Sequence, residues 1–264
     1  MKNIVFSDID GTLLDSNHSV HSKHIDAIKL LQDKNIPFVI VSARGPSCIY
    51  PILNKHNISC PIIAYGGAII LDKNRNILYE DAMSKDIARL VISHVDKTGY
   101  DVSYNIYSLE QWIVNDKDDY RIKLEESIVE VDSDYGNIDS INRNVVDKIL
   151  LMTEVDNMEE IEYDIKSNFS NLSIMKSSNV MLEIMNDGVT KANGCRKLCE
   201  MLGVSMKDAY AFGDNYNDID MLKAVGHGYI MSNAPLELRN QFKNIALSND
   251  EGGIYFTLKD NNII

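Results

Sequence analysis

The chain has 264 residues, of which 45% are hydrophobic and 25% are charged, a composition typical of a globular protein with one large or two medium domains. Its formal net charge of −13 argues against a nucleic-acid backbone as the main partner, because that affinity depends largely on Lys and Arg contacts. Its four cysteines are too few for a disulfide framework and are expected to be reduced thiols.

The first eighty residues predict alternating strands and helices, followed by a hairpin. Near-continuous apolar strands between amphipathic helices indicate a parallel sheet with helices on both faces. The predicted strands cover residues 3–7, 37–42 and 61–65, the helices 21–35 and 46–56, and the hairpin arms 68–71 and 77–80.

A different pattern begins after about Met83. Paired strands with helices set apart from them indicate an α+β module whose antiparallel sheet is covered on one side. The predicted helices cover residues 84–98, 118–127 and 157–169, and the predicted strands 102–107, 111–115, 148–153, 172–177 and 180–185.

The alternating pattern resumes at about Asp187. We therefore predict an α/β protein in which a doubly wound parallel sheet over residues 1–82 and 187–264 is interrupted by an inserted α+β domain over residues 83–186. The helices of the last part are predicted over residues 191–202, 218–224, 235–241 and 253–259, and its strands over 208–212, 228–231 and 244–247.

Two observations bear on location. The apolar run Ile4-Val5-Phe6 before Asp8 is too short for the apolar segment of a signal peptide, and no uncharged run approaches the roughly 18 residues that a membrane span needs. We therefore expect a cytoplasmic protein that does not act on a membrane. The sequence indicates no obligate protein partner.

The most informative stretch is Asp8-Ile9-Asp10-Gly11-Thr12, directly after the first predicted strand. At a spacing of two, both carboxylates project from the same side of an extended strand, and Gly11 allows the chain to turn away. Such like charges repel, so they require a cation, a shared proton or a cationic side chain. The alternative is an ordinary acidic turn.

Other informative residues follow other predicted strands, and ligands of open α/β sheets bind at such strand ends. Ser42 offers a hydroxyl and nearby main-chain N–H groups where a helix is about to begin, which suits a phosphate but equally suits a helix cap. Asp214 and Asp218 add two carboxylates, the oxygen ligands that Mg²⁺ prefers. Asp218 is also suited to cap the following helix.

Lys191 begins a predicted helix. A lysine is usually solvated, but beside four acids this one supplies the cation that a carboxylate nucleophile and a phosphoryl group need. These residues together predict phosphoryl transfer through an aspartyl-phosphate on Asp8. Asp10 would protonate the leaving oxygen and then take a proton from the attacking water.

The remaining predicted roles concern the metal and the phosphoryl oxygens. Mg²⁺ is predicted at Asp8, the main-chain carbonyl of Asp10 and Asp214, where it would screen the phosphate from the carboxylates. Positioning of the phosphoryl oxygens is assigned to Ser42, Lys191 and the Gly11 and Thr12 region.

The chain resembles a haloacid dehalogenase-like hydrolase of the Cof-type branch. The four sequence blocks stand in the expected order, as Asp8-Ile9-Asp10-Gly11-Thr12, Ser42-Ala43-Arg44, Lys191 and Gly213-Asp214-Asn215-Tyr216-Asn217-Asp218. The resemblance covers essentially the whole chain and puts residues 83–186 in the position of the family's large cap domain. It implies a Rossmann-like core and Mg²⁺-dependent phosphatase activity on small phosphorylated metabolites, often sugar phosphates.

Site residues are implied by the same matching. Asp218 would support the metal or its waters. The phosphate-binding residues would be Gly11, Thr12, Ser42, Ala43, Arg44, Lys191 and Asn217, and the metal site would comprise Asp8, Asp10, Asp214 and Asp218.

One position departs from the family pattern. Gly66-Gly67-Ala68 stands where the family usually has Asn-Gly-Ala, so a polar side chain expected to face the cleft is missing. The turn itself should form, because glycine tolerates its geometry.

Three alternatives remain open at this point. A phosphomutase would use the same aspartyl-phosphate, a receiver-like signalling domain also combines acids with a phosphorylated Asp and a Lys, and a phospholigand binder would lack catalysis. The histidines 18, 21 and 24 are expected to be solvated or capping residues rather than metal ligands. The aromatic residues of the inserted domain, Tyr100, Tyr104, Tyr107 and Trp112, are expected to serve packing before substrate contact.

Overall fold

The computed structural model describes residues 3 to 264 and divides into two compact units. The first unit consists of the residues up to Arg44, Tyr50–Tyr79 and Thr190–Ile264, and the second of Gly45–Ile49 and Glu80–Val189. The chain passes between the units after Arg44, Ile49, Tyr79 and Val189, whereas the predicted domain boundaries follow residues 82 and 186. That residues 83–186 act as a cap domain stays a prediction.

Strands occur throughout both units. In chain order they are β1 (Ile4–Ser7), β2 (Phe38–Val41), β3 (Ile62–Ala64), β4 (Ile69–Leu71), β5 (Ile77–Glu80), β6 (Met83–Ser84), β7 (Ser103–Ser108), β8 (Gln111–Val114), β9 (Asp134–Tyr135), β10 (Val145–Val146), β11 (Lys148–Met152), β12 (Leu172–Ser178), β13 (Met181–Asn186), β14 (Ala209–Gly213), β15 (His227–Met231) and β16 (Ile245–Ala246).

Helices alternate with these strands. In chain order they are α1 (Ser22–Asp33), α2 (Pro46–Lys55), α3 (Lys85–Thr98), α4 (Tyr120–Val129), α5 (Val155–Asn168), α6 (Lys191–Leu202), α7 (Ile219–Ala224), α8 (Leu236–Arg239) and α9 (Gly253–Asp260). The predicted helices and strands are present, with ends that differ by one or two residues. The strands β6, β9 and β10 escaped prediction, because two residues are too few to show an alternating pattern.

The sheet of the first unit has the strand order β16-β15-β14-β1-β2-β3-β4-β5. From β16 to β3 the neighbours are parallel, and β4 pairs with β3 in antiparallel fashion. Ile4 and Phe6 on one strand and Val39 and Val41 on the next are fully buried against the cluster that contains Leu198 of α6. The predicted α/β fold with a parallel core sheet is confirmed, with an antiparallel edge added.

The sheet of the second unit has the order β12-β13-β11-β7-β8-β9, and its pairs are antiparallel except that between β8 and β9. One face packs on α3 and α5 through a buried hydrophobic cluster. At the start of β7, Ser103 donates a hydrogen bond to Asp119, which caps α4. The α+β prediction holds.

Two aromatic predictions concern the second unit. Tyr104 belongs to its buried cluster, and the Trp112 indole donates a 2.8 Å hydrogen bond to buried Asn105. Both side chains therefore serve packing.

None of the helices in the described part of the chain is long and apolar enough to cross a membrane.

The three predicted solvated or capping histidines have different environments. His18 is exposed, and His21 caps α1 by accepting a hydrogen bond from the amide of Lys23 at 3.2 Å. His24 is fully buried, with its Nδ1 3.0 Å from the carbonyl of Leu13, so a solvated or capping role is wrong for this residue. Burial lowers the pKa of His24 to about 4.

Candidate active site

The candidate site forms at one edge of the first unit's sheet. Strands β14, β1 and β2 are neighbours and parallel, with Val5 level with Tyr210 on one side and Phe38 on the other. Their carboxyl ends therefore lie at the same edge. This topology brings together residues that are far apart in the chain, beginning with Asp8 and Asp214.

Lys191 joins two of the predicted carboxylates. Its Nζ lies 2.6 Å from Oδ1 of Asp8 and 2.6 Å from Oδ1 of Asp218. All three residues are buried, with 3% of Lys191, 6% of Asp8 and none of Asp218 exposed. The usual solvated position of a lysine therefore does not apply here.

The start of α6 determines where Lys191 lies. Thr190 caps this helix by accepting a hydrogen bond from the amide of Asn193 at 3.1 Å. The turn that follows β3 packs closely on the cap, since a Cβ on Gly67 would lie 2.3 Å from the Thr190 carbonyl oxygen. Gly66 has φ of +64° and donates its amide to the Ser42 carbonyl at 2.9 Å, so the turn forms without the asparagine usual in the family.

Asp214 lies against the loop that follows β1. Thr12 donates a hydrogen bond from its hydroxyl to Oδ1 of Asp214 at 2.7 Å. Gly11 has φ of +76°, and a Cβ at that position would lie 2.3 Å from Oδ2 of the same carboxylate. Glycine is required there by both its backbone conformation and the close approach of Asp214.

Asp218 has two structural roles. Its Oδ1 contacts Lys191, and its Oδ2 accepts hydrogen bonds from the amides of Asp214 and Asn215, both at 3.0 Å. The carboxylate therefore orders the loop that carries Asp214, whereas the predicted cap on the following helix is wrong, because the Asp218 side chain makes no capping hydrogen bond to α7. Asn217 is exposed in the same turn.

Asp10 is not among the three carboxylates that could share one cation, and it pairs with Arg44. Its side chain is 49% exposed and forms a salt bridge with the guanidinium, whose closest N···O distance is 2.7 Å. Ser42 is buried, and its Oγ accepts a hydrogen bond from the Arg44 amide at 3.1 Å, while Ala43 between them is partly buried. Ser42 Oγ thus bonds within the loop that precedes α2 and does not cap that helix, which begins at Pro46, and the Ser42 hydroxyl can still act as a donor.

The electrostatics of the buried cluster are unbalanced. Burial raises the pKa of Asp8 well above its usual range; Lys191 opposes this shift, and Asp218 and Asp214 reinforce it. Burial also raises the pKa of Asp214 to about 7, against the hydrogen bond from Thr12. Burial alone would lower the pKa of Lys191, but the Asp218 and Asp8 carboxylates hold it above its usual value. Three carboxylates around one ammonium leave excess negative charge.

The donor set fits a hard divalent cation. Carboxylate oxygens of Asp8, Asp214 and Asp218 lie within 4.8 Å of one another. Lys191 contacts Oδ1 of Asp8, and Thr12 contacts Oδ1 of Asp214. The Oδ2 atom of each carboxylate is therefore directed elsewhere. Oxygen donors and excess negative charge are what Mg²⁺ requires. Both oxygens of Asp218 already contact protein donors, which makes it the less available ligand.

Two asparagines that the sequence analysis missed hold the loop after β1. The Asn233 side chain donates to the Gly11 carbonyl at 2.8 Å and accepts from the Asn249 amide at 3.2 Å. Asn249 in turn donates from its side chain to the Leu14 carbonyl at 2.8 Å. Their only sequence signal is their position after predicted strands, which does not distinguish them from ordinary loop asparagines.

Comparisons with known proteins agree with this geometry. Residues 5–258 match the sequence profile of the haloacid dehalogenase-like hydrolases. The chain is 33% identical over 261 residues to a Haemophilus influenzae protein named "Putative phosphatase", covering 98% of each chain.

Solved structures of haloacid dehalogenase-like proteins superpose on this chain over nearly its full length. One is a haloacid dehalogenase-like hydrolase from Bacteroides thetaiotaomicron, with a TM-score of 0.89, 22% identity and coverage of 99% of this chain and 100% of the other. Another is described as a subclass IIB sugar phosphatase, with a TM-score of 0.85, 22% identity and full coverage of both chains. At these identities the likeness shows the fold alone.

Proposed function

Because the chain belongs to the haloacid dehalogenase-like hydrolase family and is an enzyme, we propose that it is a Mg²⁺-dependent phosphatase that forms an aspartyl-phosphate on Asp8. The observation that carries the proposal is the buried Asp8 carboxylate, held by Lys191 at 2.6 Å at the end of the central strand. A fixed carboxylate beside a fixed ammonium suits nucleophilic attack on an anionic phosphoryl group.

Phosphoryl transfer proceeds in two displacements. An Asp8 oxygen attacks phosphorus while the bond to the leaving oxygen breaks, and Asp10 supplies the proton to that oxygen. Water then attacks the aspartyl-phosphate, Asp10 takes the proton from that water, and inorganic phosphate leaves as the Asp8 carboxylate is restored. Lys191 offsets the charge that builds up on Asp8 and the phosphoryl oxygens.

Several polar groups orient the phosphoryl group, and positioning is most of what this reaction needs. The Ser42 hydroxyl lies at the same sheet edge as Asp8 and is assigned this role. The Thr12 hydroxyl donates its only proton to Asp214, so Thr12 is assigned the role through its main-chain amide. The main-chain amides around Gly11 and Ala43 are assigned it as well, together with Asn217.

Asp8 and Asp214, with the main-chain carbonyl of Asp10, would hold Mg²⁺. When bound, the ion neutralises phosphoryl charge that would otherwise repel the carboxylates. The engaged oxygens of Asp218 support a different role for that residue, which is to hold Lys191 and the loop that carries Asp214.

The proposed substrates are small phosphate esters, sugar phosphates among them. A net charge of −13 disfavours polyanionic substrates, and the family resemblance favours phosphorylated metabolites. We assign the choice among them to the second unit, which provides polar and aromatic side chains beyond those that the chemistry needs. A panel of phosphorylated metabolites, assayed for released phosphate, tests this assignment.

The central test uses an aryl phosphate with and without Mg²⁺. Wild-type protein should release phosphate, and Asp8→Asn should abolish turnover while the circular dichroism spectrum stays unchanged. The Asp10→Asn variant should become labelled from a ³²P-phosphate ester and lose the label slowly. Activity retained by Asp8→Asn in the presence of Mg²⁺ would contradict the assignment of Asp8 as the nucleophile.

The metabolite panel and the ³²P label separate the alternatives. With a phosphorylated metabolite that has a free hydroxyl, a phosphomutase would return an isomerised phosphate ester with little free phosphate. A receiver-like domain would accept the label without turning over, and a phospholigand binder would not be labelled.

A further inference from the structure

The guanidinium of Arg44 donates two hydrogen bonds to the Asp10 carboxylate, an arrangement called the Arg44 fork below. Arg44 Nε donates to Oδ2 at 2.8 Å and Nη2 donates to Oδ1 at 2.7 Å. Such a fork contacts both carboxylate oxygens at once and therefore fixes the plane of the carboxylate as well as its position.

Arg44 is itself held at both ends of its main chain. Its amide donates to Ser42 Oγ at 3.1 Å, and its carbonyl accepts a hydrogen bond from the Tyr65 amide at 3.0 Å. Ser42 and Tyr65 are buried, with 2% and 0% of their surface exposed. The guanidinium therefore projects from a rigid point, with only 13% of the side chain exposed.

Asp10 has less support of its own. Its side chain is 49% exposed and lies outside the cluster formed by Asp8, Asp214 and Asp218. A half-exposed aspartate without a partner populates several rotamers, whereas a proton acceptor must stay within about 2.6–3.2 Å of the proton that it takes. The Arg44 fork removes this freedom.

The fork leaves Asp10 able to act as the base of the second displacement. Each carboxylate oxygen accepts one N–H donor and keeps a further lone pair, which can receive the proton of the attacking water.

We propose that Arg44 is a positioning residue that holds the Asp10 carboxylate in place to accept a proton from the water that hydrolyses the aspartyl-phosphate. This inference rests on the proposed phosphatase function. In that step the water oxygen bonds to phosphorus, the bond from phosphorus to the Asp8 oxygen breaks, and the water proton passes to Asp10. Arg44 acts through Asp10, in place of the phosphate-binding role that the family resemblance implies.

A positioning role of Arg44 and a phosphate-binding role of Arg44 predict different kinetics with p-nitrophenyl phosphate. The leaving group of this substrate departs without help from an acid. Arg44→Gln should release about one nitrophenolate per enzyme in a burst at the wild-type rate and then turn over about 10- to 100-fold more slowly. Acid-quenched Arg44→Gln should carry ³²P on Asp8. A slower burst with a raised KM and no accumulated phosphoenzyme would instead assign Arg44 to the phosphoryl oxygens and overturn the proposal.

Two further variants sharpen the result. Arg44→Lys keeps the charge but cannot form the fork, so it should behave like Arg44→Gln; wild-type kinetics would overturn the proposal. In an Asp10→Asn background, Arg44→Gln should slow dephosphorylation no further, because both changes remove the same function. Multiplied losses would contradict the inference.

Controls separate this inference from the phosphatase assignment. Arg89→Gln removes an arginine of the second unit that pairs with the exposed carboxylates of Asp86 and Asp139, and it should leave all phases unchanged. If wild-type protein forms no phosphoenzyme, the phosphatase proposal fails. If wild type turns over through Asp8 while the Arg44 variants slow only the burst, the phosphatase proposal stands and the positioning role fails.

Discussion

Lys191 Nζ lies 2.6 Å from Oδ1 of Asp8, although the two residues are separated by 183 positions in the chain. The same ammonium contacts Asp218 at 2.6 Å, so one cation compensates two buried carboxylates. Desolvation of ions is strongly unfavourable, and a buried set of this kind persists only if its members stay paired. Lys191, Asp8 and Asp218 therefore contribute both to the stability of the fold and to the chemistry of the site.

Replacement of Lys191 by methionine should damage both stability and activity. Breaking a buried pair from one side typically destabilises a protein by about 3–5 kcal/mol, because the remaining carboxylates are left without compensation. The free energy of unfolding, measured with urea, should fall by that order, and turnover of an aryl phosphate should fall by about 1,000-fold.

A second change tests the cause. In the Lys191→Met background, Asp218→Asn should recover part of the stability and none of the activity, because it removes one uncompensated charge without restoring the cation. Lys197→Met, on the same helix with 43% of its side chain exposed, is the matched control and should be nearly neutral. Equal stability of Lys191→Met and wild type would contradict this account.

Glycine at position 11 should be essential for activity and less so for stability. An alanine there adopts φ of +76° at a penalty of about 1–2 kcal/mol and pushes on the Asp214 carboxylate. Displacement of a catalytic group by about 1 Å lowers rates roughly 100-fold, so kcat/KM should fall by that order.

Gly203→Ala provides the matched control for this change. Gly203 also has positive φ, +63°, but no atom lies within 4 Å of the position that its Cβ would occupy. Gly203→Ala should lose stability only through its backbone conformation, Gly11→Ala should lose at least as much, and only Gly11→Ala should lose activity. Comparable activity of both would show that the contact with Asp214 does not matter.

Binding of Mg²⁺ should stabilise the protein through Asp214. An ion that binds only the folded state at about 100 times its Kd adds roughly 2.7 kcal/mol, so Tm measured by scanning calorimetry should rise with Mg²⁺ and return with a chelator. Asp214→Asn should abolish the rise, since it removes a predicted ligand. Asp220→Asn, an exposed residue of α7, should retain it. An undiminished rise in Asp214→Asn would place the ion elsewhere.

His24 should make the fold sensitive to acid. Its pKa in the folded protein is about 4, below the ordinary 6.5, because burial disfavours the charged ring. Because the pKa of His24 is lower in the folded protein than in the unfolded chain, its full contribution to stability is present above pH 6.5 and is lost as the pH falls towards 4. The loss amounts to roughly 3 kcal/mol across that window.

The free energy of unfolding as a function of pH checks this expectation. His24→Gln should have a lower stability at pH 7 but a shallower decline between pH 6.5 and 4. His18→Gln, at an exposed position, should decline as steeply as wild type. Parallel curves for His24→Gln and wild type would exclude His24 as the titrating group.

Much of the fold follows from local sequence patterns. Four-residue apolar runs such as Phe38–Val41 must be buried on both faces, and helical periodicity marks segments such as Lys191–Leu202, so the element order and the α/β class could be predicted. The strands β6, β9 and β10 and the antiparallel pairing of β4 with β3 could not, because they depend on neighbours rather than on local periodicity.

The sequence by itself determined which chemistry-bearing residues the chain has and which strand ends carry them, since residue type and strand periodicity are local properties. Only the tertiary structure decided how the four carboxylates divide: Asp8 and Asp218 share Lys191, Asp214 lies against Gly11 and Thr12, and Asp10 pairs with Arg44. Spacing cannot assign such partners, because charge pairing acts through space and depends on which strands become neighbours. The buried environment of His24 was likewise decided by packing, which the polarity of a histidine does not reveal.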